Sequence, residues 1–423
     1  MTVILDVHAR EILDSRGNPT VEVDVKTEHG FGRAGIPSGA STGTHEAVEL
    51  RDGGNRYHGK GVLGAVRHVN EVIAPSVVGM DAREQRKLDT ALCEMDGTPN
   101  KSKLGANAIL GVSVACAKAA ASSLGIFLFE HVGALAGVVP STLPVPTLNV
   151  LNGGRHAGNE LAIQEFMVQP VGAPTFFEAL RYGAEVYHSL GSALEEKYGK
   201  ASINVGFEGG YAPPIGQTRE ALDILMQAVA NAGYTEDEVM VGIDAAASEF
   251  YVDGHYRLDG TECSPDELTS FYEQLSDEYP LLFIEDPFHE DDYEHFAVLT
   301  QEMDKTMVVG DDIFVTNMVR IRKGIGMKAA TALLLKLNQI GTLTEALDAA
   351  TMVYGAGWDV VVSHRSAETE DAAIADVAVG IGAQLIKTGA PARGERTAKY
   401  NQLLRIEEQL GERARYTHLG GGK

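Results

Sequence analysis

Cysteine occurs three times and tryptophan once in 423 residues. Cys93, Cys116 and Cys263 form an odd and scattered set, so neither a disulfide framework nor a cysteine-based zinc site is expected, and a reducing cytoplasm fits that usage. Positive charge is also scarce. Lys and Arg number 35 against 59 Asp and Glu, a formal charge of −24. That balance argues against a nucleic-acid-binding face and favours a soluble protein. The N-terminal stretch MTVILDVHAREILD lacks a basic flank followed by an apolar core, so no secretory leader is expected. Long apolar runs are missing but for ANAILGVSVACAKAAASSLGIFLF, from Ala106. Its Ala and Ser content and Lys118 in mid-run predict a buried core helix and no membrane span. No G-x-G-x-x-G opens a helix, which counts against an open dinucleotide-binding sheet.

The length exceeds one ordinary core, and the hydrophobic share of 44% is that of a globular protein, so two domains or a large barrel with an appendage are expected. TVEVDVKT, from Thr20 to Thr27, alternates apolar and polar residues, turns at EHG and continues as FGRAGI, which predicts a hairpin with one buried face. Helical patterns follow in AVRHVNEVIAPSVV, in AREQRKLDTALCEM and in the Ala-rich run. Together they make an α+β domain over residues 1–135. The Gly- and Pro-rich GALAGVVPSTLPVP, Gly133 to Pro146, reads as the boundary, with a second domain over 141–423.

In that second part, short β-branched or apolar runs end on a polar residue and a helical pattern follows. VMVGID ends at Asp244, LLFIED at Glu285 and Asp286, MVVGDD at Asp311 and Asp312, ALLLK at Lys336, DVVVSHR at His364 and Arg365, and AQLIK at Lys387. The first step, Asp244 to Glu285, is 41 residues, and the others are 23 to 28, the length of one strand plus one helix. This period predicts a parallel (β/α) barrel with functional groups converging at the C-terminal strand ends.

Asp244, Glu285 and Asp311 stand at three successive strand ends, where three carboxylates repel unless a cation lies between them. All-oxygen ligation suits Mg²⁺. Lys336 and Lys387 each emerge from an apolar strand. Two cations beside a metal depress a lysine's pKa, and each lysine reads equally as a base or as a counter-ion for the acids. His364, Arg365 and Ser366 offer an imidazole, a planar fork and a hydroxyl suited to gripping a phosphate or carboxylate. PSGASTGTHEA, from Pro37, reads equally as a closing loop or an ordinary turn, as does GGRHAGN around His156. Glu208 in NVGFEGGYAP is set between an aromatic ring and two glycines. A metal-bound carboxylate, a strand-end lysine and such a glutamate suggest proton abstraction beside a carboxylate and then loss of a leaving group, with Glu208 protonating the departing hydroxyl.

DSRGNPTVEV, PSGASTG, QEFM, EGG, IEDPF, GDD with VTN, LLLKLNQIGTL, SHRS, ETED and IKTGAPARGERTAKYNQLLRIEE resemble the enolases over almost the whole chain. The resemblance implies a small N-terminal α+β domain and a C-terminal enolase-type (β/α)8 barrel whose first units are irregular. It implies a cytoplasmic, glycolytic lyase that dehydrates 2-phosphoglycerate to phosphoenolpyruvate with two Mg²⁺ per site, as a homodimer or an octamer of dimers. Carried over, Lys336 is the base at C2 and Glu208 the acid at C3, assisted by Glu165. Asp244, Glu285 and Asp311 hold the first metal, and Ser41 helps to hold the second. His156, His364, Arg365, Ser366 and Lys387 bind the substrate's carboxylate and phosphate. No nucleic acid or membrane is implied as a partner.

The enolase pattern has Asp where Phe207 stands, Gly where Ala367 follows SHRS, and commonly a small residue or Lys in place of Arg155. Phe207 is expected to change the hydration and pKa of Glu208, and Ala367 to add a methyl near the phosphate grip. These departures admit a second reading, a paralogue similar to the carboxyphosphonoenolpyruvate synthases of phosphinate antibiotic pathways. A third is a non-catalytic scaffold or surface receptor, which a terminal Lys423 would suit.

Overall fold

A computed structural model describes residues 2–39 and 43–419, so Ser41 and Lys423 lie outside the described residues. Near the N-terminus, Ile4–Leu13, Pro19–Thr27 and Phe31–Gly35 form an antiparallel sheet with Pro19–Thr27 in the middle. The hairpin is the expected one. The strand Ile4–Leu13 was not read from the sequence, because Asp6, Arg10 and Glu11 interrupt its alternation, and only Ile4, Val7 and Ala9 of it are buried. The helical patterns become Leu63–Val77, whose middle is a π-helical turn, then Gln85–Asp96 and Ala106–Leu124. The last is long and apolar enough to cross a membrane, yet 78% of it is buried inside the protein. It lies so close to the sheet that a Cβ on Gly32 would sit 2.0 Å from the Ala115 carbonyl oxygen. The Ala and Ser content that distinguishes it from a membrane span is what permits this approach. Lys118, the charge in its middle, donates to both oxygens of Asp371, at 2.6 and 2.7 Å, far along the chain.

Eight of the remaining strands close into a barrel, in the order Leu281–Glu285, Met307–Gly310, Ala332–Leu335, Asp359–Ser363, Leu385–Lys387, Val145–Asn152, Glu165–Gln169 and Met240–Asp244. All six strands read from the sequence are present. The long step between Asp244 and Glu285 holds a small inserted sheet, Tyr251–Val252, His255–Leu258 and Thr261–Cys263. Two strands were missed, Val145–Asn152 and Glu165–Gln169, and Glu165–Gln169 runs antiparallel to both its neighbours. Val145–Asn152 is buried at every position, although Thr147, Asn149 and Asn152 point polar groups into the interior. That mixture reads as neither an apolar run nor an alternation. The stretch from Gly133 to Pro146 contains the end of the helix Leu128–Ala136 and the start of Val145–Asn152. Between them, Thr142–Leu143 pairs with Arg415–Tyr416.

The N-terminal part docks on the barrel through polar groups at one helix start. Leu343 and Thr344, the first residues of the helix Leu343–Gly355, donate their backbone N–H groups to Ser113 Oγ at 3.0 Å and to Asp89 at 2.9 Å. Both acceptors are buried, so the free N–H groups of that helix are satisfied from the other end of the chain.

Candidate active site

All six expected strand ends deliver a side chain into one cavity at the barrel mouth, the strand Leu281–Glu285 through Asp286, while Glu285 itself is fully buried outside the lining. Lining the cavity are His156, Glu165, Glu208, Asp244, Asp311, Lys336, His364, Arg365, Ser366 and Lys387. Glu285 reaches the same cluster through Lys387, whose Nζ lies 2.7 Å from Glu285, 2.9 Å from Glu165 and 3.1 Å from Asp244. Glu165 is level with Asp244 for a topological reason. Its strand runs backward, so its first residue pairs with the last residue of Met240–Asp244 and with Asn152.

Burial favours neutral Lys387, but Asp244, Glu165 and Glu285 outweigh it and hold its pKa well above the ordinary lysine range. Lys336 faces Asp311, and there too the carboxylate overcomes burial and raises the lysine. The charges nearest both lysines are negative, and these hold them up. Glu285 is pushed well above the carboxylate range, by burial first and by Asp244 next. Its Oε1 is buried with no partner. A buried, unpartnered carboxylate oxygen among all-oxygen donors fits a hard divalent cation. Asp286 has a different use: its two oxygens accept the backbone N–H groups of Asp311 and Asp312, at 2.9 and 2.7 Å.

Across the cavity, Glu208 is 2% exposed and accepts from Asn149 Nδ2 at 3.1 Å, with His364 Nε2 also 3.1 Å away. Arg396 donates to His364 Nδ1 at 2.7 Å, and an arginine cannot accept, so the proton of the neutral imidazole sits on Nε2, facing Glu208. Burial takes His364 down to about 4. His156 Nδ1 lies 3.3 Å from Glu165 and 3.8 Å from Glu208. Burial opposes charge on His156, but Glu208 and Glu165 raise it. The two glutamates move apart. Burial and the Glu208 charge push Glu165 up, whereas in Glu208 the same burial is outweighed by His364, His156 and Arg396, which bring it well below the usual range.

Arg365 forms a buried two-pronged pair with Glu46, at 2.9 and 3.0 Å, and donates to Asn338 Oδ1 at 2.9 Å. Glu46, Asn149, Gln164, Gln339 and Arg396 were not assigned roles from the sequence. Gln164 donates to Asp244 at 3.2 Å and Gln339 to Asp311 at 2.8 Å. Adjacency to motif residues, as in QEFM and LNQ, is the only signal that pointed to any of them. The backbone after Asp311 is strained, since Val315 and Thr316 have φ of 43° and 55°. For β-branched residues that conformation costs about 1–3 kcal/mol each.

The three departures from the enolase pattern each have defined surroundings. Phe207 is 40% exposed, its ring 5.5 Å from the Arg16 guanidinium carbon and 6.5 Å from the His156 ring. The field at Glu208 comes from His364, His156 and Arg396. Ala367 is fully buried without a left-handed φ and exchanges both backbone hydrogen bonds with Ser38, at 2.8 and 2.9 Å. Arg155 pairs with Glu249 at 2.5 Å and so ties the turn Gly154–His156 to Ala247–Phe250.

Residues 4–132 match the family described as "Enolase, N-terminal domain", and residues 140–421 match "Enolase, C-terminal TIM barrel domain". A protein named "Enolase" from Methanothrix thermoacetophila is 65% identical over 97% of this chain and 97% of its own length. Others of that name are similar throughout: one from Methanosarcina barkeri at 63% over 98% of this chain and 97% of the relative, and one from Methanocaldococcus jannaschii at 60% over 96% of each. A reversed second barrel strand that brings Glu165 level with Asp244, on a chain matched almost from end to end, leaves no other assignment: the chain belongs to the enolase family.

Proposed function

We propose that the protein is a lyase that dehydrates 2-phosphoglycerate to phosphoenolpyruvate and water. The observation that carries this is the placing of a half-buried lysine, Lys336, and a buried glutamate, Glu208, in one cavity. Asp244, Glu285 and Asp311 would hold one Mg²⁺, with a second expected beside the substrate. When bound, the cations supply the positive charge that stabilises the dianion formed at C2.

Lys336, once its ammonium has left Asp311 and lost its proton, removes the C2 proton. The C2 electron pair then forms the C2–C3 double bond as the C3 hydroxyl takes a proton from Glu208 and leaves as water. Of the two glutamates there, Glu165 keeps its proton to higher pH and serves as the reserve. His156, His364, Arg365, Ser366 and Lys387 bind the carboxylate and phosphate. Neutral His364 contributes a hydrogen bond from Nε2, and Arg365 must exchange Glu46 for an anion of the substrate.

The same reading carries a small phosphorylated hydroxy acid as the partner, a cytoplasmic setting and self-association as a dimer or octamer. It is favoured over the paralogue reading by the similarity to proteins named "Enolase" over almost the whole chain. The test is formation of phosphoenolpyruvate from 2-phosphoglycerate. Excess chelator is expected to abolish it and added Mg²⁺ to restore it. Full activity in chelator would overturn the metal assignment, and no product with Mg²⁺ present would overturn the function.

A further inference from the structure

The strained turn after Asp311 carries a fully buried hydroxyl, that of Thr316. It accepts the backbone N–H of Lys336 at 3.0 Å and donates to Gln339 Oε1 at 3.0 Å. Gln339, 1% exposed, donates from Nε2 to Asp311 Oδ1 at 2.8 Å, with Glu46 Oε1 at 3.5 Å beyond. Asp311 Oδ2 meets Lys336 Nζ, which closes a ring of hydrogen bonds.

The polarity of that ring is decided at the hydroxyl. An ionised carboxylate only accepts, so Gln339 must turn its amino group to Asp311 and its oxygen away. The oxygen then faces Thr316, whose single proton satisfies it, and a lone pair of the hydroxyl remains for the Lys336 N–H. Without the hydroxyl, Gln339 Oε1 has no donor there and Lys336 N–H no acceptor. The amide then loses what holds its amino group toward Asp311. The backbone agrees with such a use. Glycine or asparagine would relieve the left-handed conformation at position 316, but neither offers a hydroxyl there.

We propose that Thr316 is a positioning residue, whose hydroxyl orients the Gln339 amide and the Lys336 backbone so that Asp311 and the Lys336 ammonium meet in the site. This rests on the reading of Asp311 as a metal ligand and Lys336 as the base. Thr316→Val keeps the shape and removes the hydroxyl. Thr316→Ser keeps the hydroxyl.

In Thr316→Val, C2-proton exchange and kcat are expected to fall about thirtyfold, with KM within about threefold. Mn²⁺ binding, followed by electron paramagnetic resonance without substrate, should weaken about tenfold. Thr316→Ser should recover both to within about threefold, which a loss of packing alone would not produce. Where Thr316→Val does not fold, Gln339→Met must show the same two losses. The proposal is overturned if Thr316→Val keeps kcat and Mn²⁺ affinity within about twofold of wild type, or if Thr316→Ser is as impaired as Thr316→Val. Should the wild type fail to turn over 2-phosphoglycerate, the dehydration reading falls. The Mn²⁺ measurements then decide the role of Thr316 alone.

Discussion

The two halves of the barrel mouth are built differently. From Asp244 to Lys387 the strands are parallel, and each delivers its functional side chain from its C-terminal end. From Val145 to Tyr211 the order breaks: one strand is reversed, His156 stands on a three-residue turn, and Glu208 lies in a loop held by Asn149 and Arg396. The regular half carries the lysine and the carboxylates suited to a cation. The irregular half carries the buried Glu165, Glu208 and His156. Strand ends set an array of charges along the parallel sheet, whereas loops and a reversed strand bring Glu165, Glu208 and His156 together.

The largest effect that separates the halves comes from removing one proton-transfer group from each. Lys336→Ala should abolish both C2-proton exchange and dehydration, each by about 10²–10⁴-fold, whereas Glu208→Gln should suppress dehydration to that extent but leave measurable exchange. Equal loss of exchange in both variants would erase the division of labour.

A second effect lies behind the regular half and acts on stability. Burial raises Asp376, in the helix Ala373–Ile381, from 3.8 to about 6. The folded state then binds the proton more tightly than the unfolded state, so stability falls as pH rises from 3.8 through about 6 and is level above that. The drop is about 3 kcal/mol. Asp376→Asn should remove this slope in denaturant unfolding measured at pH 4 and pH 8. An unchanged slope would mean that Asp376 is better solvated than its 6% exposure implies.

The smallest effect belongs to the irregular half. The contact between Arg16 and Phe207 is half exposed, where a cation–π interaction is worth about 0.5–1 kcal/mol. Phe207→Asp with Ala367→Gly should leave dehydration of 2-phosphoglycerate within about tenfold of wild type. A rise in kcat/KM well beyond tenfold would revive the paralogue reading and make Phe207 a determinant of substrate choice.

Legibility followed the same division. Asp244, Glu285, Asp311, Lys336, His364 and Lys387 each end a run of apolar residues, so their strands and their convergence could be read from spacing. Glu165 could not be read so, because it begins its strand, and Val145–Asn152 was hidden by its inward polar residues. For His156, Glu165 and Glu208, resemblance and no periodic signal gave the grouping. The partners Gln339, Glu46 and Arg396 went unassigned because a hydrogen-bonding amide or charge far along the chain leaves no local pattern.

The sequence by itself determined the alternation of strand and helix, the buried Ala-rich helix and the polar strand ends, since each depends on local period and composition. Tertiary structure alone decided which charges meet. Lys387 lies among three carboxylates, Arg365 is gripped by Glu46 from 319 residues away, and His364 is held in one tautomer by Arg396. Those pairings depend on barrel closure and on the docking of the N-terminal part, and their energies depend on burial, which no local stretch of sequence contains.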